Sequence, residues 1–199
     1  MPVRPLETPS DIEQALQRVG ELLAAAGEPH AVVIVGGAAL SLLGVVKRAT
    51  RDVDILAFAR RTRGGAWELE PPPEPLPQAL ATAARTVARD LGLAEDWLNA
   101  GPALQWRQGL PPGLAHRIRW RQYEALRVGV VGREDLIRLK LYAAADGAPA
   151  GPHARDLAAL APTDAELEEA AAWVKTQDAA AAFPAIVKEV VAYVRAHRT

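Results

Sequence analysis

The chain has 199 residues, half of them hydrophobic, a net charge of −1 and no cysteine. That length suits one domain, or one domain with a helical appendage, and suffices to bury a core without covalent staples. The missing thiols exclude a disulfide framework and thiolate metal sites and fit a reducing cytosol, while the near-zero charge excludes bulk electrostatic attraction to nucleic acid or membrane.

Met1 to Ser10 carries prolines and charges but lacks the apolar centre of a secretory signal, so a cytoplasmic location is expected. The longest uncharged run, Ala31 to Val46, falls short of the roughly 20 residues a spanning helix needs. Ser10-Asp11-Ile12-Glu13 predicts a capping box opening an amphipathic helix, in which Ile12, Leu16, Val19, Leu22 and Leu23 recur at helical spacing until Gly27.

Ala31 to Val35 is continuously apolar and largely β-branched, as in a strand buried on both faces. Gly36-Gly37 follows, then a short helix from Ala38 to Leu43 closed by Gly44. A glycine pair at such a turn either makes a plain tight turn or lets a phosphate approach the first backbone donors of the helix. Beyond the basic turn Arg48-Ala49-Thr50-Arg51, Asp52 to Phe58 reads as a second strand. Alternation puts Asp52 and Asp54 on one face, with Cα atoms roughly 7 Å apart, where they can hold divalent cations. Asp54 also sits inside an apolar pattern, where an unpartnered carboxylate is costly.

Arg60 to Pro77, basic and then rich in Pro and Glu, is a loop by composition. Gln78 to Leu91 is a second amphipathic helix, with Leu80, Ala84, Val87 and Leu91 on one side. Asp96 to Pro102 suits a structured turn with Trp97 as a core anchor. His116 to Arg121 alternates, aligning Arg117, Arg119 and Arg121 opposite Ile118 and Trp120, either as the wet face of an edge strand or as a stripe that contacts RNA or phosphate. Tyr123 to Val131 is expected to be one strand, and a helix opens at Arg133-Glu134-Asp135, with Lys140 embedded in it as a snorkelling lysine by its own context. After the Gly147 to Pro152 loop, His153 to Leu160 is a short helix, Thr163-Asp164-Ala165-Glu166 a further capping box, and Phe183-Pro184 the start of the last helix. No P-loop, dinucleotide fingerprint or nucleophile elbow occurs, and the histidines are scattered singly.

Taken in order, Gly36-Gly37-x-Ala39, Arg48-x-Thr50-x-Asp52-x-Asp54, Glu134-Asp135-Leu136-Ile137 with Lys140 and Ala143, Asp156-Leu157 and Ala161-Pro162-Thr163 form a set. It resembles the DNA polymerase β-type nucleotidyltransferase superfamily, in particular AbiEii-like toxins and a related bacterial nucleotidyltransferase-like family in which Trp97-Leu98-Asn99 also has a counterpart. The resemblance implies an α/β fold, a mixed sheet flanked by helices, with a core over residues 1–150 and a helical extension over 151–199 packed on it. It implies an NTP substrate held by Gly36, Gly37, Arg48 and Thr50, and Mg²⁺ or Mn²⁺ held by Asp52 and Asp54. Lys140 is then expected on the phosphates or the developing charge and Asp156 near the attacking hydroxyl, completing a catalytic set of Asp52, Asp54, Lys140 and Asp156. The acceptor is expected on RNA or protein, with an antitoxin protein as a further partner and no membrane.

The sequence departs from the superfamily at two points. Gly37 stands where serine is common, and the third carboxylate of many members has only Glu124 or Asp156 as candidates. Two other readings therefore stand beside the enzyme: a degenerate domain that binds a nucleotide or protein without turnover, and a structural α/β domain whose paired aspartates are an edge feature.

Overall fold

The computed structural model describes residues 3–198, so the first two residues of the Met1 to Ser10 stretch lie outside it. Contacts divide the chain into a unit of Met1–Arg107 with Ala115–Val131 and a unit of Gln108–Leu114 with Gly132–Thr199.

The first unit contains helices α1 (Pro9–Ala26), α2 (Gly36–Leu42), α3 (Gln78–Leu91), α4 (Ala103–Gln108, whose last residue falls in the second unit) and α5 (Leu114–Arg117, whose first does). Its strands are β1 (His30–Val35), β2 (Val53–Arg61), β3 (Trp67–Glu70), β4 (Leu98–Asn99), β5 (Arg119–Tyr123) and β6 (Leu126–Val130). They form the predicted mixed sheet, ordered β3-β2-β1-β6-β5, with β4 beside β2. β1 runs parallel to β6 and antiparallel to β2, so it is interior to the sheet, and Val32, Val33, Ile34 and Val35 are buried.

Several local expectations change. Thr8, not Ser10, caps α1, because Pro9 pre-sets the first helical turn and Asp11 closes the capping box from its third position. The stretch from Arg60 to Pro77 is not all loop: β2 continues through Arg61, turns over Thr62 to Ala66 and returns as β3. Within the Asp96 to Pro102 turn, Leu98 and Asn99 pair in parallel with Val53 and Asp54 as β4. His116 and Arg117 end the short α5, so the strand begins at Arg119. The expected single strand Tyr123 to Val131 is a hairpin, since Tyr123 closes β5 and Glu124 turns in a left-handed conformation at φ 49°. As an edge strand, β5 leaves Arg119 exposed, while Arg121 pairs with Glu13 and donates to the Leu42 carbonyl at 3.0 Å.

Pairing fixes the two faces of the sheet. His30, Val32 and Ile34 share one with Leu126, Val128, Val130 and Arg121, and α1 lies against it. The opposite face carries Ala31, Val33, Val35, Gly129, Trp120 and, from β2, Asp54 and Ala57. Asp54 and Ala57 share that face only because the register slips between Val33 and Ile34, leaving Leu56 as an unpaired bulge residue. Trp97 is fully buried, and its indole N–H donates to the Ala84 carbonyl at 3.0 Å, tying α3 to the segment that becomes β4.

At Gly20, α1 meets the backbone of β5: an added Cβ would collide with the Tyr123 carbonyl. Alanine normally stabilises a helix by about 1 kcal/mol over glycine. Here the obstacle is backbone and cannot rotate away. Gly20→Ala is therefore expected to lose about 2 kcal/mol net in urea unfolding.

The second unit holds α6 (Arg133–Asp146), α7 (Pro152–Ala159), α8 (Asp164–Val174) and α9 (Phe183–His197). α6 packs with the other three, and α8 opens on the predicted Thr163 and Glu166 capping box. Arg133 joins that cap, pairing with Glu166 and donating to the Leu160 carbonyl at 2.8 Å. The guanidinium, with the Thr163 bonds, holds the Glu166 carboxyl at about 2, below its usual 4.5. A depressed carboxyl contributes stability above its unfolded pKa and loses it as pH falls through the folded one. After discounting for partial exposure, Glu166→Gln is expected to cost about 1 kcal/mol at pH 7, with the difference from wild type shrinking between pH 4.5 and about 2 in urea titrations.

Candidate active site

At one end of the sheet, β1 runs into Gly36 and β2 starts beside it, because Val35 pairs with Asp54. Gly36 is left-handed at φ 74°, and a Cβ there would collide with the Asp54 carboxylate. Only glycine suits both demands. The pair thus brings backbone within reach of the carboxylate, and α2 begins at Gly36 itself, earlier than the expected Ala38.

The basic turn is held by the N-terminal segment: the Thr50 N–H donates to the Leu6 carbonyl at 2.9 Å, and the Leu6 N–H donates to the Thr50 carbonyl at 2.8 Å. Thr50 is buried as a result. Its hydroxyl donates to the Asp52 carbonyl at 3.1 Å and lies 3.5 Å from Asp52 Oδ1. That bond fixes the run from Thr50 into β2. The same hydroxyl would be 2.9 Å from a Cβ on Gly37, and Arg48 Nη2 would be 3.8 Å from it. Thr50 thus fills the space a serine at 37 would claim, which accounts for glycine at that position.

Asp52 and Asp54 are both partly buried; pairing with Val35 places Asp54 on the face opposite α1, and Asp52 stands two residues before it, just ahead of β2. Among the described residues no three His, Cys, Asp or Glu side chains form a group that could hold a metal. Two such carboxylates suit a hard divalent ion that keeps water and substrate phosphates as its remaining ligands. They do not suit an ion caged wholly by protein.

Glu124 is removed as the third carboxylate. It turns the β5–β6 hairpin next to Leu126, which pairs with His30, whereas Asp54 pairs with Val35 at the other end of β1. Those ends are separated by roughly 16 Å of strand. Lys140 on α6 and Asp156 on α7 belong to the second unit, where Lys140 Nζ donates to Asp156 Oδ2 at 2.8 Å. Their side chains are 8% and 6% exposed, so this is a buried ion pair. The expected snorkelling lysine is instead held in the unit's interior.

Sequence reasoning missed the position of Asn99, set beside Asp54 by β4. Its Oδ1 accepts the Gly101 N–H at 2.7 Å and its Nδ2 donates to the Asp96 carbonyl at 3.3 Å, so its amide shapes the turn leaving β4. A strand of two residues has no periodicity to read, and the Trp97-Leu98-Asn99 string was its only signal.

Residues 11–147 match the model of a family described as Nucleotidyltransferase of unknown function (DUF6036). No curated protein and no solved structure matches the chain. Among the described residues, no helix is long and apolar enough to cross a membrane.

Proposed function

The chain belongs to this nucleotidyltransferase family, and from that premise we propose that it transfers a nucleoside monophosphate from an NTP to an acceptor hydroxyl on RNA or protein. The observation carrying the proposal is the meeting of Gly36 and Asp54, with Thr50 and Arg48 against Gly37 and Thr50 bonded to Asp52. It joins a glycine turn to neighbouring carboxylates. Gly36 and Gly37 let the Asp54 carboxylate and the Thr50 hydroxyl close on the turn, whose backbone N–H groups would face the triphosphate; Arg48 would offer a guanidinium to its oxygens, and Thr50 sets the direction of Asp52.

In the reaction the acceptor oxygen bonds to the α-phosphorus as the bridging bond to the β-phosphate breaks, and pyrophosphate leaves with the electron pair. Asp52 and Asp54 would hold Mg²⁺ or Mn²⁺, which when bound neutralises charge on the phosphates. Asp54 faces the Gly36 turn, so the carboxylates orient the α-phosphate end of a triphosphate seated there. The resemblance assigns Lys140 to the phosphates or the developing charge and Asp156 to the neighbourhood of the attacking hydroxyl, and both assignments stay with the proposal. Likeness to AbiEii-like toxins makes a toxin with an antitoxin partner the proposed biological setting.

The absence of a third carboxylate among the described residues favours one other reading, a nucleotide-binding domain without turnover. Incubation with each α-labelled NTP, Mg²⁺ and total RNA separates the two. The proposal expects label on RNA, or on protein when a lysate is supplied. A chain that is stabilised by NTP and Mg²⁺ in thermal unfolding yet labels nothing is the binding domain.

A further inference from the structure

On the sheet face that carries Asp54, a glycine lies beneath a large aromatic pair. Ala31, Val33, Ala57 and Gly129 share that face, and a Cβ on Gly129 would meet the Trp120 ring at 3.0 Å, so Trp120 lies over the glycine. Trp67, opposite Arg61 in the β2–β3 hairpin, stacks on Trp120 with ring centroids 4.5 Å apart and planes at 29°. Trp67 and Trp120 come from opposite edges of the sheet, and both remain partly exposed.

Two guanidiniums flank the stack: Arg61 lies 5.5 Å and Arg127 5.2 Å from the Trp67 ring centroid. Arg63 is exposed in the adjoining hairpin turn. Arg60, next to Arg61 but on the other face, is neutralised by Glu68 and Glu70. Among the described residues Arg61, Arg63 and Arg127 meet no carboxylate; Arg127 instead donates to the Gln122 side-chain oxygen at 2.6 Å. The chain as a whole is near neutral, which makes uncompensated cations around an aromatic stack a local feature.

We propose that this Trp67–Trp120 stack with Arg61, Arg63 and Arg127 is a binding surface for single-stranded RNA. Phosphates answer the three cations, and unstacked bases answer the partly exposed indoles and the guanidiniums held beside them. An acidic peptide satisfies the charges and leaves the aromatic surface unused. A duplex keeps its bases stacked inside. Trp120 pairs with Gly129, which pairs with Val33, two residues before the Val35 that pairs with Asp54. Three strand spacings and two residues of rise put the Trp120 and Asp54 Cα atoms within roughly 16 Å. The tryptophans and the carboxylate thus share one face of the sheet. As the acceptor-binding face this surface rests on the nucleotidyltransferase reading; as an RNA-binding surface it stands without it.

The test is fluorescence anisotropy of a labelled twelve-nucleotide single-stranded RNA with the intact chain, no nucleotide or metal present. The triple variant Arg61→Gln/Arg63→Gln/Arg127→Gln, its fold checked by circular dichroism, is expected to bind at least about tenfold more weakly. The slope of log affinity against log salt should fall by about 2, since each single-strand phosphate contact contributes about 0.7. Trp67→Ala should weaken binding about tenfold and Trp67→Phe far less. The proposal is overturned if the wild type does not bind, if the triple variant binds like the wild type, or if a twelve-residue poly-glutamate peptide competes as well as RNA. That last result would make the surface a protein-docking face. Because binding is read without nucleotide, a chain that holds RNA but transfers nothing would sink the transferase reading alone. One that transfers nucleotide but holds no RNA here would sink only the platform.

Discussion

Lys140→Met is expected to lower the free energy of unfolding by about 3–5 kcal/mol, because it leaves the Asp156 carboxylate buried without its ammonium partner. The two groups sit 2.8 Å apart at 8% and 6% exposure, joining α6 to α7. Desolvation makes the intact pair a modest contributor, yet the same desolvation makes a half-pair expensive. The double variant Lys140→Met/Asp156→Leu should accordingly recover most of the loss in urea unfolding. A single-variant loss under about 1 kcal/mol would contradict this account of the pair. The double variant also separates structure from chemistry. Should it regain both stability and nucleotide transfer, the pair acts only on the fold, whereas regained stability without transfer supports the roles the resemblance implies.

Asp54→Ala is expected to reduce nucleotide transfer by about a thousandfold, the scale of losing several kcal/mol of charge stabilisation at a transferring phosphate. Stability should change little, since Asp54 is only partly buried at the end of the sheet. The bulge at Leu56 aims this carboxylate toward the face shared with Val35, and Gly36 yields the space it occupies. Transfer that survives the substitution, read as label incorporated per minute at saturating NTP, would remove Asp54 from the mechanism.

The central elements were legible because their physics is local. Ala31 to Val35 reads as a buried strand because it is apolar, largely β-branched and followed directly by a glycine pair, and the structure has β1 there, with Asp54 inside β2 as its apolar surroundings suggest. Where two local signals competed, the sequence misled. Thr8 and Ser10 both open plausible capping boxes, and Pro9 decided between them by fixing the first turn. Trp67-Glu68-Leu69-Glu70 alternates correctly for a strand, but four residues set among Arg, Gly and Pro were outweighed by composition. The β5–β6 turn gave no warning because Glu124, not glycine, adopts the left-handed conformation there.

Long-range proximity was the other blind spot. The resemblance selected Lys140 and Asp156, but nothing in their sixteen-residue separation indicated that they bond to each other. Likewise the motif alone points to Thr50. That its hydroxyl fills the room above Gly37, and so explains the missing serine, depends on Leu6 clamping the turn from the far side of α1. Trp67 and Trp120 lie on strands at opposite edges of the sheet, and their stacking requires a curl that no window of sequence encodes.

The most direct measurement is a parallel incubation of the wild-type chain with α-labelled and γ-labelled NTP, Mg²⁺, RNA and a protein lysate. Nucleotidyl transfer at the Gly36–Asp54 turn predicts that the α-label enters the acceptor while the γ-label leaves as pyrophosphate. Incorporation of the γ-label, or of neither, would contradict it.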